Sequence, residues 1–186
     1  MRSSSFPRIR YVAIPDSRAK AVSLQSHLDP LRLHQHFRHD LLHLQRQDPT
    51  TPITLYINSP GGEVQSGLAL YDVMQAVSCP IRTVCLGMAA SMGALLFIAG
   101  DEREILPHSR IMIHDPLIGA GADGSALSVK ARADDLMRIR DITAGVIARH
   151  SGMSIERVFE LTASDTYFEA EEAVDAGLAD RVITRL

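Results

Sequence analysis

The sequence predicts an α/β fold in which a strand, a tight turn and a helix follow one another and the pattern then repeats. Residues 55–58 form an apolar, strand-like run, residues 59–62 have turn chemistry, and apolar residues then recur near the helical spacing over 68–77. A second strand-like run, residues 82–86, leads through small residues to the apolar segment 94–99. The whole apolar run from Ala89 to Ala99 is too short to span a bilayer, and we expect it to be a buried helix.

A long helix is predicted in the second half of the chain. After a glycine-rich stretch, helical sequence runs from Ala126 to about His150 and is ended by Ser151 and Gly152. One side of this helix is charged, and the other carries an apolar stripe made of Val129, Ala133, Leu136, Thr143 and Ile147. We do not expect a single small domain to bury an apolar stripe of this length by itself.

Composition and length agree with one compact domain. A chain of 186 residues fits one domain with a sizeable core, so we treat residues 1–186 as a single domain. A net charge of −3 and a pI near 6.2 give no reason to invoke nucleic acid or an anionic membrane. Two cysteines without metal-ligand company suit a reducing, cytoplasmic location. The basic start has no apolar core and is not a secretory signal, although it leaves organelle import open.

Ser91 is the candidate nucleophile. It lies among small residues in the segment Gly-Met-Ala-Ala-Ser-Met-Gly, residues 87–93, where nothing large can cover its hydroxyl. Taken alone, such a segment is more typical of close helix packing, and it is not the lipase motif G-x-S-x-G because Ala89 replaces the first glycine. A serine hydroxyl is a weak nucleophile, so a base and an orienting carboxylate must be found elsewhere.

His114 is the candidate base, and Asp165 is the candidate carboxylate. His114 ends a β-branched run that is stopped by Pro116, so its ring is expected at a strand end. Taken singly, such a histidine is usually structural, and Asp165 could be a helix cap. Asp115 is a rival carboxylate, but successive side chains of a strand point to opposite faces, so Asp115 should face away from the ring of His114.

Four segments together resemble ClpP, the proteolytic subunit of the Clp protease, whose family consists of serine peptidases. They read N-S-P-G-G at 58–62, G-x-A-A-S-M-G at 87–93, S-R-x-M-I-H at 109–114, and an aspartate before an aromatic followed by E-A-x-x-x-G-L-x-D at 172–180. The resemblance covers roughly residues 53–183, and the order Ser, His, Asp also agrees.

The sequence departs from the family pattern in three places. Met88 and Asp115 stand where glutamine is usual, and the link between Ser91 and His114 is slightly short. Residues 100–104 are the expected site of the shortening, as a trimmed turn.

The resemblance implies a crotonase-like ClpP fold of repeated ββα units, with residues 126–150 as a protruding handle helix. It makes Ser91, His114 and Asp165 the catalytic residues and assigns the oxyanion hole to the backbone N–H groups of Gly62 and Met92. Substrate would bind as an added strand along the backbone of Gly61, Gly62, Leu117 and Ile118.

The resemblance also implies partners. Two stacked heptameric rings of this chain, a tetradecamer, would enclose the active sites, and a Clp ATPase of the AAA+ class would deliver unfolded polypeptides. No segment resembles a P-loop, so ATP would be hydrolysed by that partner. No metal or organic cofactor is expected, and co-assembly with a second ClpP-like subunit is left open.

Two alternatives belong to other functional classes. The chain could be a noncatalytic subunit that completes a mixed ring, although Ser91, His114 and Asp165 are all present. It could also be a crotonase-like acyl-CoA enzyme on the same fold, a chemistry that needs an oxyanion hole but no serine triad. Reaction of Ser91 with a fluorophosphonate would separate the peptidase from the acyl-CoA enzyme.

Residues 1–52 diverge from the resemblance, which implies an axial pore and part of a docking surface for them. Asp29 and Pro30 predict a helix start, with one apolar face formed by Leu33, Phe37, Leu41 and Leu44. Another face carries His36, His39 and His43. These could bind a transition metal, but no acidic or cysteine ligand joins them, so we favour a solvated or subunit-facing stripe.

Overall fold

A computed structural model describes residues 20–25, 30–117 and 124–186 of the chain. Over these residues the predicted α/β fold is confirmed, with six helices and one mixed sheet of seven strands. The strands are β1 (Lys20–Gln25), β2 (Ile53–Ser59), β3 (Ile81–Ala90), β4 (Glu102–Ile105), β5 (Arg110–Ile113), β6 (Thr166–Glu169) and β7 (Arg181–Val182). The helices are α1 (Pro30–Gln47), α2 (Val64–Ala76), α3 (Met92–Ile98), α4 (Ala126–Ser151), α5 (Ile155–Thr162) and α6 (Ala170–Asp175).

Strand β3 is where the sheet divides. Strands β1, β2, β3, β4 and β7 lie side by side in parallel, while β5 pairs in parallel with the far end of β3 and antiparallel with β6. A bulge accompanies the division, since β3 advances from Cys85 to Ala89 while β2 advances only from Ile57 to Ser59. The end of β3 is thereby turned toward β5.

Ser109 holds this bulge in place. Its hydroxyl accepts a hydrogen bond from the Gly87 N–H at 2.6 Å and donates one to the Cys85 carbonyl at 3.1 Å. Both bonds are local to the bend, so Ser109, immediately before β5, helps to fix the direction in which β3 ends.

The expectation of a trimmed turn over residues 100–104 was wrong for most of that segment, because Glu102–Ile105 forms β4. This strand is difficult to predict from the sequence because most of its residues are charged. Glu104 is buried, yet its carboxylate accepts hydrogen bonds from Arg82 Nε and Arg181 Nε, each at 2.8 Å. A buried carboxylate is tolerated when it is paired in this way, and the pairing joins β3, β4 and β7.

The core lies between the sheet and its helices and runs from Val22 in β1 to Ala179 before β7. Every residue of α3 is buried, as expected from its apolar sequence. Helix α2 packs beside it through a buried face that includes Leu70, Tyr71 and Met74. Buried α3 therefore provides a rigid support immediately after Ser91.

Helix α4 has the predicted length and ends but not the predicted uniform stripe. Ser125 caps its first turn and Gly152 ends it in the left-handed conformation. Val129 is 41% exposed, whereas Ile147 on the same side is only 1% exposed and belongs to the core. The stripe is thus covered by the chain itself in its second half and open to solvent in its first half.

Helix α1 begins at Pro30, the residue predicted for the first helical position. Asp29 and the side chains of Leu33, His36 and Phe37 lie outside the described residues. Leu41 is fully buried against the core, while His39 and His43 are exposed and stack with ring centroids 6.1 Å apart.

The described residues contain neither a metal-ligand cluster nor a helix that could span a membrane. Residues 20–25, 30–117 and 124–186 contain no group of three or more metal-ligand side chains with suitable geometry. Among the same residues, no helix is both long and apolar enough to cross a bilayer.

Candidate active site

Ser91 occupies a strained turn between β3 and α3. Its backbone has φ 53° and ψ −123°, and no other non-glycine residue in the described part of the chain has a positive φ. The turn is held from both sides, because the Ser91 N–H donates to the Met112 carbonyl at 2.9 Å and the Ser91 carbonyl accepts from the first turn of α3. Such strain persists only where the surroundings enforce it, and it is concentrated at functional sites.

Two glycines let neighbouring backbone approach this turn closely. A Cβ atom added at Gly61, where φ is +101°, would lie 2.6 Å from Ser91 Cβ, and one added at Gly93 would lie 3.1 Å from Ser59 Cβ. The turn after β2 and the turn after β3 are therefore packed directly against each other. The small residues allow the two turns to pack closely while Ser91 stays partly accessible, so the two interpretations of the segment are compatible.

The structure brings Ser91, His114 and Asp165 together. His114 follows β5, and its Nε2 lies 2.9 Å from Ser91 Oγ while its Nδ1 lies 3.0 Å from Asp165 Oδ1. A carboxylate can only accept, so Nδ1 carries a proton, and in the neutral ring Nε2 is then free to accept from the serine hydroxyl. This is the arrangement in which an imidazole can remove the proton of the hydroxyl.

The side chains of His114 and Asp165 differ in their exposure to solvent. The His114 side chain is 15% exposed, whereas the Asp165 side chain is 59% exposed. In the hydrogen bond between them, His114 is therefore shielded from solvent and Asp165 is solvated. Solvent competes for the carboxylate, so the position of Asp165 depends on how its backbone is held.

The carboxylate of Asp115 bonds to side chains other than the ring of its neighbour His114. One oxygen of its carboxylate accepts from Arg140 Nε and the other from Thr162 Oγ1, each at 2.6 Å. The sequence marks Asp115 as a rival to Asp165 and as a departure from the family pattern, but it gives no sign of Arg140 and Thr162, which are distant in the chain.

Cys85, in the strand β3 that leads to the serine, is not a competing nucleophile. Burial raises the pKa of its thiol to about 12, an effect that a hydrogen bond with Ser109 only partly opposes. The thiolate is the reactive form of cysteine, and at neutral pH almost none would be present.

The remaining predicted site residues lie next to the turn of the serine, in the segment after β5, or outside the described residues. Met92 is the first residue of α3, so its N–H has no acceptor within the helix. The Gly61 N–H is already bonded to Ser59 Oγ at 3.1 Å, and Gly62 is the next residue along. Leu117 is exposed beside the site, and Ile118 lies outside the described residues.

The chain was compared with known protein families. A family model described as Clp protease matches residues 17–186. The match begins well before Ile53, where the motif resemblance begins, and it includes β1 and α1. Strand β1 pairs in parallel with β2 over its whole length, so the N-terminal part is joined to the sheet that carries Ser91.

Proposed function

Because the chain belongs to the Clp protease family, we propose that it is a serine endopeptidase that cleaves unfolded polypeptides inside an oligomeric chamber. One observation carries the proposal, namely that His114 lies within hydrogen-bond distance of both Ser91 Oγ and Asp165 Oδ1. A crotonase-like acyl-CoA enzyme does not need a serine, a histidine and an aspartate joined by hydrogen bonds. A noncatalytic subunit does not need them either.

In the proposed reaction, Ser91 Oγ attacks the carbonyl carbon of a peptide bond while His114 Nε2 removes its proton. The ring then gives this proton to the departing amine, and water hydrolyses the resulting acyl-enzyme with His114 again acting as the base. Asp165 keeps the ring in the required tautomer and stabilises its positive charge. These roles follow from the contacts of His114 with Ser91 Oγ and Asp165 Oδ1.

The backbone N–H groups of Gly62 and Met92 are proposed as the oxyanion hole. Met92 supports this role because it begins a buried helix, where the unpaired N–H groups and the positive end of the helix dipole favour developing negative charge. Gly62 supports it because it follows Gly61, which packs against the Ser91 side chain. Both donors would be offered by rigid backbone beside the reacting carbonyl.

Substrate is proposed to bind as an added strand between the backbone at Gly61 and Gly62 and the backbone at Leu117 and Ile118. Leu117 supports this placement because it is exposed and follows His114 closely in the segment after β5. Recognition through main-chain hydrogen bonds accepts many side chains, which suits an enzyme that degrades unfolded polypeptides.

The assembly is proposed to be two stacked heptameric rings fed by a Clp ATPase. The open first half of the stripe on α4 supports ring-to-ring contact, since Val129 and its neighbours there are exposed in one subunit. A reducing, cytoplasmic location is part of the proposal and is supported by two free, buried cysteines. No metal or organic cofactor takes part in the proposed chemistry.

The proposal is tested by comparing wild type with Ser91→Ala on a short fluorogenic peptide and on an unfolded protein. We expect the variant to lose at least about 10⁴-fold in kcat while sedimenting like wild type, because alanine fits a small-residue turn. Full turnover by Ser91→Ala would contradict the assignment of the nucleophile. An inert wild type in assembled rings would favour the noncatalytic alternative.

A further inference from the structure

Asp115 connects three separate segments of the chain. Its backbone N–H donates to the Thr162 carbonyl at 2.8 Å, and its carboxylate accepts from Thr162 Oγ1 and Arg140 Nε. Thr162 is the last residue of α5, and Arg140 lies in the middle of α4. The residue immediately after His114 is thus tied to two helices at once.

The contact with Thr162 anchors the turn that carries Asp165. Residues 163–165 are all exposed and join α5 to β6, so their position depends on the two residues that flank them. Thr166 is held on one side by its pairing with Ile113 and by donating its hydroxyl to the Leu161 carbonyl at 2.6 Å. Thr162 is held on the other side by the two bonds to Asp115.

The contact with Arg140 reaches the point where α4 leaves the body of the subunit. Beyond Arg140 the helix is buried, at Thr143 and Ile147, while before it the same side is exposed at Val129. The Arg140 guanidinium also lies 4.0 Å from the ring centroid of Phe159 in α5. Only about a fifth of the Arg140 side chain is exposed, so the ion pair with Asp115 is partly shielded from solvent.

We propose that Asp115 is a positioning residue that fixes His114 and Asp165 relative to each other and links this pair to the placement of helix α4. The proposal rests on the peptidase function proposed above. A carboxylate suits the task because its two oxygens accept from Arg140 and Thr162 separately, whereas an amide offers only one acceptor oxygen. Asp115 itself neither touches the imidazole nor takes part in proton transfer.

The test compares Asp115→Asn, Arg140→Met and the double variant, with Asp135→Asn as the control. Asp135 pairs with Arg138 on the exposed side of α4, so the control removes an ion pair from the same helix without reaching the site. The rate of Ser91 phosphonylation by a fluorophosphonate and kcat and KM for a short peptide are measured per titrated active site. Arg140→Lys is added as the conservative variant, since it keeps the charge.

Each single variant should lose about ten- to a hundredfold in kcat and in phosphonylation rate. A misplacement of the catalytic groups by about 1 Å lowers the reaction rate by roughly that factor. KM should stay within about twofold, and Asp135→Asn should match wild type in every measurement. Arg140→Lys should recover part of the loss. The double variant should lose no more than the worse single variant, since both remove one shared interaction.

Wild-type rates per active site in both Asp115→Asn and Arg140→Met would overturn the positioning role and leave the peptidase function standing. Independent, multiplying losses in the double variant would also overturn it. If Asp115→Asn does not fold, Arg140→Met alone decides, because it leaves both Thr162 contacts in place. A wild type that neither hydrolyses peptide nor reacts with the fluorophosphonate would refute the proposed function and this inference together.

Discussion

His114 and Asp165 lie opposite each other one step beyond the last pair of an antiparallel strand ladder. Ile113 at the end of β5 is paired with Thr166 at the start of β6, so continuing the register by one residue brings the two side chains together. The resulting contact joins groups 51 residues apart in the chain at 3.0 Å. Backbone pairing, rather than a long flexible side chain, thus sets the distance between the base and the carboxylate that orients it.

The two aspartates near the histidine should differ greatly in their effect. Asp165→Asn removes the group that holds the His114 tautomer and should lower kcat by up to about 10⁴-fold, whereas Asp115→Asn should lower it by about a hundredfold at most. Steady-state kinetics on a short peptide measure both. A larger loss for Asp115→Asn than for Asp165→Asn would reverse the assignment.

Gly61→Ala should inactivate the protein with little loss of structure. The new Cβ would lie 2.6 Å from Ser91 Cβ and 2.9 Å from the Ala90 carbonyl oxygen, at a φ of +101° that side chains rarely adopt. The turn of Ser91 must then move, and we expect a loss of about 10²-fold or more in kcat/KM.

Gly145→Ala is the matched control for this change. A Cβ at Gly145, inside α4, would have nothing within 4 Å, so the variant should keep wild-type activity and gain slightly in helix stability. Circular dichroism spectra of both variants would show whether each is folded. Equal activity of Gly61→Ala and Gly145→Ala would show that contact with Ser91 does not matter.

Ring assembly should depend on the exposed half of the stripe on α4. Val129 and Leu136 continue the side on which Ile147 is buried, so Val129→Glu/Leu136→Glu places charge on the uncovered part without touching the core. We expect smaller particles in sedimentation and low peptidase activity, because neither residue lies at the catalytic serine and the loss must come from assembly.

Ala131→Glu is the control, since helical geometry places Ala131 on the far side of α4. It should leave particle size and activity unchanged. Ile147 lies on the same side of the helix but is unsuitable as a target, because it is buried and a charge there would disrupt the core. Small particles of Val129→Glu/Leu136→Glu with full activity would refute the dependence of activity on assembly.

Stability should fall as the pH drops below the range of an ordinary histidine, partly through His150. Burial lowers the pKa of His150, and the neighbouring positive charges of Arg103 and Arg149 lower it further. Because the unfolded chain then binds the proton more readily than the folded chain, unfolding takes up a proton as the pH falls below about 6.5. The stability that the fold gains from a neutral, buried His150 is fully present above that pH and is lost as the pH falls below it.

Thermal denaturation of wild type and His150→Gln, between about pH 8 and about pH 5.5, measures this effect. Glutamine can still bond to the Tyr71 hydroxyl, which lies 3.1 Å from His150 Nε2. The drop in Tm on acidification should be smaller in His150→Gln than in wild type. Equal drops would show that His150 does not contribute to the acid sensitivity.

The sequence predicted those features that local patterns encode. Ser91, His114 and Asp165 each stand at a strand or helix boundary with recognisable residues around them, and the ends of α4 have the usual Ser and Gly signals. Helix α5 also had such a signal, because Ser154 caps it before the apolar residues Ile155 and Val158, and this signal went unused.

Other features depend on residues that are far apart in the chain. Strand β4 was missed because Glu104 is charged, and its burial makes sense only once Arg82 and Arg181 are beside it. The same applies to Asp115, whose partner Arg140 is 25 residues away. The stripe on α4 is visible in the sequence, but which half is covered depends on the packing of the whole subunit.

Phosphonylation of the wild-type protein by a fluorophosphonate, located by peptide mass spectrometry, tests most directly whether Ser91 is activated by His114. We predict one phosphonyl group per chain, on Ser91, and a loss of at least about 10³-fold in its rate of formation in His114→Ala. No modification of Ser91, or modification at an unchanged rate in His114→Ala, would contradict the account.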